Sequence, residues 1–339
     1  MDERCDGRSN SFGNSNLQRE FVISSWNIRG ARPKLAEIAE ELRRKKIDVC
    51  GIQETKTEGE FTERDYKFVC FEREQKQYGQ GFAIRSDLKI VEQTRISDRI
   101  AKLVLRKRES WAQRKIGPIE HILHRTKTNR NQLTILNCYA PHMGLVTSNK
   151  EYAEKFYKEL LDTWKSLKSK DCIILGDFNA KLGCKEFHGG PVGSHARGLR
   201  NLNGDYLYEF LTHTNYIAAN TLFKHKACNI TTWEGHIKDR KVFNQIDYIL
   251  VPYNRKHSLI DSRSHQCFTV DTDHRLVTAK LIRKNDLKRN KIKKGSRRTT
   301  EDSTLIELKE KSHHQPENLT DLQESREVQE RAKQGEQCH

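Results

Sequence analysis

One stretch constrains the fold more than any other: Cys172-Ile173-Ile174-Leu175-Gly176-Asp177-Phe178-Asn179-Ala180. Three aliphatic residues behind a cysteine read as a strand buried on both faces. Gly176 breaks the run, and Asp177 and Asn179 follow at i and i+2. On an extended chain that spacing sets both polar side chains on one face. A buried strand that ends this way delivers a carboxylate and an amide to a sheet edge, where open α/β sheets keep their sites. The bland alternative is a strand closing in an Asx turn, since Asp and Asn favour turns.

The same pattern recurs along the chain. Phe21 to Trp26 reads as a strand ending at Asn27. Leu35, Ile38, Ala39 and Leu42 then recur at helical spacing, with basic residues 43–46 at the C-terminal end, where the helix dipole favours them. Asp48 to Ile52 is the next strand and runs into Gln53-Glu54-Thr55. A strand–helix–strand unit of this length implies parallel neighbours. Tyr66 to Phe71, Gly81 to Ile84, Ile100 to Leu105 and Leu133 to Tyr139 are further strands. An amphipathic helix over 150–168 is expected to bury Tyr152, Phe156, Leu160, Trp164 and Leu167. A helix over 205–214 turns Leu207, Phe210 and Leu211 inward. Ile217 to Asn220, Thr231 to Trp233, Gln245 to Val251 and the closing Leu276 to Ile282 read as strands, and the stretch after Val251 as turns.

Polar residues follow or sit within these apolar runs at six places: Asn27, Glu54, Tyr139, Asp177 with Asn179, Asp247, and Asp273 with His274. Each alone has a dull explanation as a surface carboxylate, a turn residue or a core aromatic with a wet hydroxyl. Together they form a chemical kit. Hard oxygen donors (Glu54, Asp273, the amide oxygen of Asn27) suit Mg2+ or Mn2+. A carboxylate beside an amide can orient and deprotonate water, and a histidine backed by a buried aspartate can carry positive charge against a phosphate oxygen. Such a set serves metal-assisted hydrolysis of phosphate esters.

Composition points to the substrate class and to the ends of the chain. The 339 residues carry a net charge of +16, which favours a polyanionic partner, nucleic acid first and an acidic membrane surface second. Residues 106–132 hold eight Lys/Arg against two Glu, as a long basic hairpin loop or a solvated insertion. Residues 283–298 hold nine Lys/Arg and one Asp, whereas 301–339 hold ten acidic and five basic residues. The expected organisation is a disordered N-terminus at 1–19, a catalytic domain over 20–283, and a basic then acidic disordered tail at 284–339. The nine cysteines form no CxxC pair, which argues for a reducing compartment and against a zinc site. With neither a signal-peptide pattern nor a run long enough to span a membrane, an intracellular protein, nuclear or cytoplasmic, is expected.

Ser25-Trp26-Asn27, Gln53-Glu54-Thr55, Asn137-Cys138-Tyr139-Ala140-Pro141, Gly176-Asp177-Phe178-Asn179, Gln245-Ile246-Asp247-Tyr248 and Thr272-Asp273-His274 resemble, in order, the motifs of the endonuclease/exonuclease/phosphatase superfamily. Within it the chain most resembles the apurinic-type endonuclease domain of RTE-like non-LTR retrotransposons, over about residues 20–283. The resemblance implies a DNase I-like fold: a four-layer α/β sandwich, two packed mixed β-sheets flanked by helices. It implies Glu54 as the main metal ligand with Asn27 and Asp273, and Mg2+ or Mn2+ as cofactor. Asp177 would activate water that Asn179 positions, Tyr139 and His274 would bind the scissile phosphate, and Asp247 would orient His274. Arg29 stands where many members have Asp, and His142 where Asn is common. Asn244-Gln245 replaces the aromatic and basic pair of abasic-site repair enzymes. Arg29, His142, Trp233, Arg106, Lys107 and Arg108 are the candidate nucleic-acid contacts.

The leading expectation is a monomeric Mg2+-dependent endonuclease that nicks duplex DNA and leaves a 3′-hydroxyl, with no membrane partner. It would be either a stand-alone host protein or a truncated element. The alternatives are a phosphatase on inositol phosphates, a deadenylase, or a DNA- or chromatin-binding protein that kept the fold without catalysis.

Overall fold

The computed structural model describes residues 20–282 except 77, 107–131, 170, 184–189 and 238–239. The N-terminal segment 1–19, Lys107, Arg108 and the tail beyond 282 lie outside the described residues.

Two sheets form the frame. The first has seven strands: β1 (Phe21–Asn27), β2 (Val49–Gln53), β3 (Gly59–Glu63), β4 (Tyr66–Cys70), β5 (Gln80–Arg85), β14 (Leu259–His265) and β15 (Leu276–Leu281), in the order β14-β15-β1-β2-β5-β4-β3. The second has six: β6 (Ile90–Arg95), β7 (Ile100–Arg106), β8 (Gln132–Tyr139), β9 (Cys172–Asp177), β10 (Tyr216–Ala218) and β13 (Asp247–Pro252), in the order β10-β13-β9-β8-β7-β6. A separate ribbon pairs β11 (Trp233–Ile237) with β12 (Arg240–Asn244).

Each sheet carries one parallel pair at its centre, β1 with β2 and β8 with β9; the other pairings are antiparallel. Helix α1 (Leu35–Arg44) joins the first pair. Helices α2 (Met143–Ser148) and α3 (Glu151–Ser166) join the second, and α4 (Leu202–Thr214) follows β9. The strands alternate between two cores, as a sheet buried on both faces requires. Ile23, Val49, Phe82, Leu103, Ile135, Leu175, Ile249 and Val277, drawn from both sheets, fill the space between them. Ile38 and Leu42 of α1 cover the outer face of the first sheet with Trp26 and Phe68. Phe156 and Leu160 of α3 and Leu207 and Leu211 of α4 cover the second with Leu136 and Ile174. Helix, sheet, sheet and helix make the four expected layers.

A buried polar network fixes the two sheets against each other beneath the site. Asn137 of β8 donates from Nδ2 to the carbonyls of Ile52 (2.8 Å) and Gly81 (2.9 Å) and accepts from Gln53 Nε2 at 2.5 Å. Gln53 Nε2 also donates to Ser25 Oγ at 3.1 Å. In a sealed interior such groups must be mutually satisfied, so the network fixes register as well as stability.

Several expectations need correction. The stretch after Val251 is not all turns: Leu259–His265 pairs along β15, with Ser262 and Ser264 as its buried residues rather than aliphatic ones. The edge strands Gly59–Glu63 and Ile90–Arg95 escaped the hydrophobic pattern because they are largely solvent-facing. Helix α3 is rotated from the expected face, burying Ala153, Phe156, Tyr157, Leu160 and Thr163, while Tyr152 is 49 % exposed. The 217–220 run is strand only to Ala218 and continues as a 3-10 turn.

Candidate active site

Pairing register assembles the site. Tyr139 stands opposite Asp177, and Asp177 opposite Asp247, across β8, β9 and β13. On the facing sheet Asn27 stands opposite Gln53, so Asn27 and Glu54 leave β1 and β2 side by side. Gly176 makes the close approach possible. Its φ is +155°, and an added Cβ would fall 2.0 Å from the Cys138 carbonyl oxygen on the parallel neighbour. Asn179 does not continue the extended chain. Its φ is +48°, and its N–H donates to Asp177 Oδ1 at 2.9 Å. The Asx turn is therefore real and is part of the site, because it leaves Asp177 Oδ2 facing Asn27 Nδ2 at 3.1 Å.

Backbone strain concentrates here. Of the seven non-glycine residues with positive φ among the described residues, four are Arg29, Glu54, Lys56 and Asn179. Conformations of this kind cost about 1–3 kcal/mol each and persist where surrounding contacts over-determine them.

The inner part of the site is sealed. Asp177 and Asp247 are buried, and His274 retains 8 % of its surface. Asp247 accepts from His274 Nδ1 at 3.1 and 3.2 Å, and its own N–H donates to Thr232 Oγ1 at 3.0 Å. The other ring nitrogen, Nε2, points at Asp177 Oδ2 (3.7 Å) and Asp273 Oδ1 (3.9 Å). Burial alone would lower the imidazolium's pKa, but Asp247, Asp177 and Asp273 outweigh it and raise His274 to about 9. Burial and the Asp247 carboxylate push Asp177 up to about 7, against the pull of His274 and of the Asn179 and Asn27 hydrogen bonds.

The outer part is more open. Glu54 Oε1 accepts from Asn27 Nδ2 (3.0 Å) and from the Tyr139 hydroxyl (2.9 Å), while Oε2 pairs with Lys56 at 3.1 Å. Burial pushes the Glu54 carboxyl up; hydrogen bonds from Asn27, Lys56 and Tyr139 more than reverse this and hold it below the usual carboxylate range. Asp273 Oδ2 accepts from Trp233 Nε1 at 3.1 Å and lies 3.5 Å from Arg29 Nη1. Asp273 Oδ1 is buried with no hydrogen-bond partner.

Asn27, Glu54, Tyr139, Asp177, Asn179, Asp247, Asp273 and His274 are thus linked through one set of contacts, with Arg29 and Trp233 joined to it at Asp273. His142 is exposed and instead caps α2, Nδ1 accepting from Leu145 N–H. Arg106 is exposed at the far end of β7, where the register continues to Arg106↔Gln132. Sequence reasoning missed Lys56 and Arg99. The Arg99 guanidinium lies 4.4 Å from the Tyr78 ring centroid and 5.6 Å from that of Tyr139, and Nη1 donates to the Tyr139 carbonyl at 3.1 Å. Only the Gln-Glu-Thr-Lys spacing hinted at Lys56; nothing local marked Arg99.

One cluster among the described residues has the spacing of a cation site, and two further carboxylates have the chemistry for one. Asp177, Asp247 and His274 offer donor atoms within 4.8 Å of one another. Their ring nitrogen and carboxylate are, however, already engaged together. The unpartnered Asp273 oxygen and the anionic Glu54 supply hard oxygen donors of the kind Mg2+ takes.

Comparison with known proteins agrees with this fold. Residues 24–274 match the Endonuclease/Exonuclease/phosphatase family. Craniofacial development protein 2 of Bos taurus is 29 % identical over 271 residues, covering 78 % of this chain and 41 % of that protein. The chain therefore spans about two fifths of the length of this curated relative. Among solved structures, the endonuclease domain of TRAS1, a telomere-specific non-LTR retrotransposon, superposes with a TM-score of 0.54 at 15 % identity, covering 78 % of this chain and 99 % of that one. The Xenopus laevis APE2 catalytic domain gives 0.54 at 18 % identity, covering 76 % and 91 %. At these identities the structural likeness shows the fold.

Proposed function

The chain belongs to the endonuclease/exonuclease/phosphatase family and has the site of a metal-dependent phosphodiesterase, and from that premise we propose a Mg2+- or Mn2+-dependent endonuclease that nicks one strand of duplex DNA and leaves a 3′-hydroxyl. The observation that carries the reading is the Asp247–His274–Asp177 relay beside an unpartnered Asp273 oxygen. The +16 charge favours a polynucleotide among the family's possible phosphate esters.

Glu54 and Asp273, with Asn27 beside them, would hold the cation, which when bound neutralises charge on the phosphate. Asp177, raised to about 7, is suited to accept a proton from water near neutral pH. The Asn179 backbone N–H holds one carboxylate oxygen and Asn27 the other, so the acceptor is fixed before substrate arrives. His274, raised to about 9, donates from Nε2 to a phosphate oxygen, and Asp247 keeps its ring orientation and charge. Tyr139 positions Glu54 through its hydroxyl, which would also reach a phosphate oxygen. Residues 20–283 would form the catalytic domain and 284–339 an appended charged tail, in a protein of nuclear or cytoplasmic location. Among the described residues no helix is long and apolar enough to cross a membrane.

The test is relaxation of supercoiled plasmid with and without Mg2+, beside phosphate release from an inositol polyphosphate on the same sample. Mg2+-dependent nicking is expected with no phosphate release. Phosphate release without nicking would move the assignment to the phosphatase branch.

A further inference from the structure

Six large hydrophobic side chains are exposed among the described residues, and four of them keep between 38 and 49 % of their surface in water. Leu199 and Phe268 differ, at 88 and 85 %. Exposed apolar residues scattered singly are ordinary. These two each ride on a loop that is tied into the active site.

Leu199 follows Gly198, whose φ is +79°. The residues around it are braced. Arg197 N–H donates to Gln245 Oε1 (2.9 Å), and Arg197 Nε to the Phe243 carbonyl (3.1 Å). Arg200 Nε donates to the Leu182 carbonyl (3.0 Å), and its guanidinium lies 4.0 Å over the Tyr208 ring. Asn201, two residues on, donates from Nδ2 to the Asn179 carbonyl at 3.4 Å. The loop is therefore held from the Asn179 and Asp247 side while the leucine itself projects into water.

Phe268 lies on the loop that carries Asp273 and His274, and with them lines a cavity of about 340 Å3. That loop is held too. Thr269 Oγ1 donates to Glu41 Oε1 (3.1 Å), Thr272 Oγ1 to the Asn27 carbonyl (2.8 Å), and Lys34 Nζ to the Asp271 carbonyl.

The catalytic relay adds a geometric demand. Asp177 and His274 are almost entirely buried, so a backbone phosphate must descend to them. Apolar wedges that enter a base step unstack it and kink the duplex, which lets more of the duplex wrap onto protein. The exposed faces of unstacked bases are apolar and pack on such side chains.

We propose that Leu199 and Phe268 are two braced wedges that engage unstacked nucleobases of duplex DNA, one on the Asn179 side of the site and one on the Asp273 side. The inference rests on the DNA-nicking reading above and specifies how that substrate is deformed.

The experiment uses the full chain and oligonucleotide duplexes carrying a cleavage site mapped on the wild type, fully paired or mispaired at the cleaved step. Leu199→Ser and Phe268→Ser are expected to lower kcat/KM on the paired duplex about ten- to a hundredfold, the scale of an unstacking cost of a few kcal/mol. Both should recover most of that loss on the mispaired duplex, where unstacking is already done. Leu199→Met and Phe268→Trp should stay near wild type on both. A 2-aminopurine at the cleaved step should brighten on binding wild type and not on binding the serine variants. Equal losses on paired and mispaired duplexes, or no loss on the paired one, would overturn the wedge assignment while leaving nicking itself intact. A wild type that nicks no duplex in Mg2+ would instead overturn the DNA reading, and the wedges with it.

Discussion

The inner and outer halves of the site use the same kinds of side chain and differ in what surrounds them. Inside, Asp177, Asp247 and His274 are buried and pair with one another. Outside, Glu54 and Asp273 pair with cations that face water: the Lys56 side chain is 38 % exposed and that of Arg29 is 54 % exposed. Burial removes solvent screening, so the inner charges displace each other's protonation states. The outer charges stay near solvent, where ions compete. The inner half is thus suited to moving protons and to setting a fixed charge against a phosphate, and the outer half to holding an exchangeable cation.

The largest expected effect lies in the inner half. Asp177→Asn and His274→Ala should each lower kcat by about 10²–10³, the usual scale for removing a preorganised electrostatic group. Their pH profiles separate the roles. Asp177 acts ionised and titrates at about 7, so wild-type activity should rise through that pH; His274 acts protonated and titrates at about 9, so activity should fall above it. Losing His274 should erase the alkaline limb, and losing Asp177 the acidic one, measured as kcat against pH with the metal saturating. An acidic limb abolished by His274→Ala would make His274 the base and reverse the assignment.

A smaller effect, about ten- to a hundredfold, is expected from Glu54→Gln, by analogy with the loss of groups that support a metal site. It should appear as a raised Mg2+ requirement, read by titrating the ion after chelation, with the thermal midpoint little changed. Retention of the wild-type Mg2+ curve would remove Glu54 from the cation site. The contrast sharpens the comparison: excess Mg2+ should partly restore the outer variant and leave the inner variants unrescued.

The strands that carry both halves were legible in sequence. Cys172 to Leu175, Phe21 to Trp26 and Leu133 to Tyr139 are runs that only central strands carry, and a polar residue at or just past the end of each (Asp177, Asn27 and Tyr139) marks where the strand leaves the core. Asp247 was legible for a different reason, as the one carboxylate inside the Gln245 to Val251 run, and it opens β13. What lay hidden had no hydrophobic signature. Leu259–His265 is a strand whose buried residues are serines, and Gly59–Glu63 and Ile90–Arg95 are edges facing solvent. The left-handed turn at Asn179 could not be separated from an extended continuation, because Asn tolerates both. Arg99 reaches Tyr139 only through the pairing of β7 with β8 and a stacked ring, neither of which local sequence encodes.

The smallest predicted effect tests whether the outer half is solvent-coupled. The Arg29 guanidinium is 3.5 Å from Asp273 Oδ2, and more than half of the side chain faces water. An exposed ion pair of this kind contributes little to stability, so Arg29→Ala should leave the fold unchanged. If Arg29 also meets a DNA phosphate, its removal should weaken binding several-fold at low salt and flatten the slope of log K against log salt by about 0.9, one contact's worth. Asp177→Asn should keep the wild-type slope, because this buried carboxylate meets no phosphate. Affinity measured over a salt series for Arg29→Ala, Asp177→Asn and wild type separates the cases. A slope unchanged by Arg29→Ala would confine this arginine to Asp273. A slope altered by Asp177→Asn would mean that the buried carboxylate is linked to ion exchange as well, and the division between the two halves would fail.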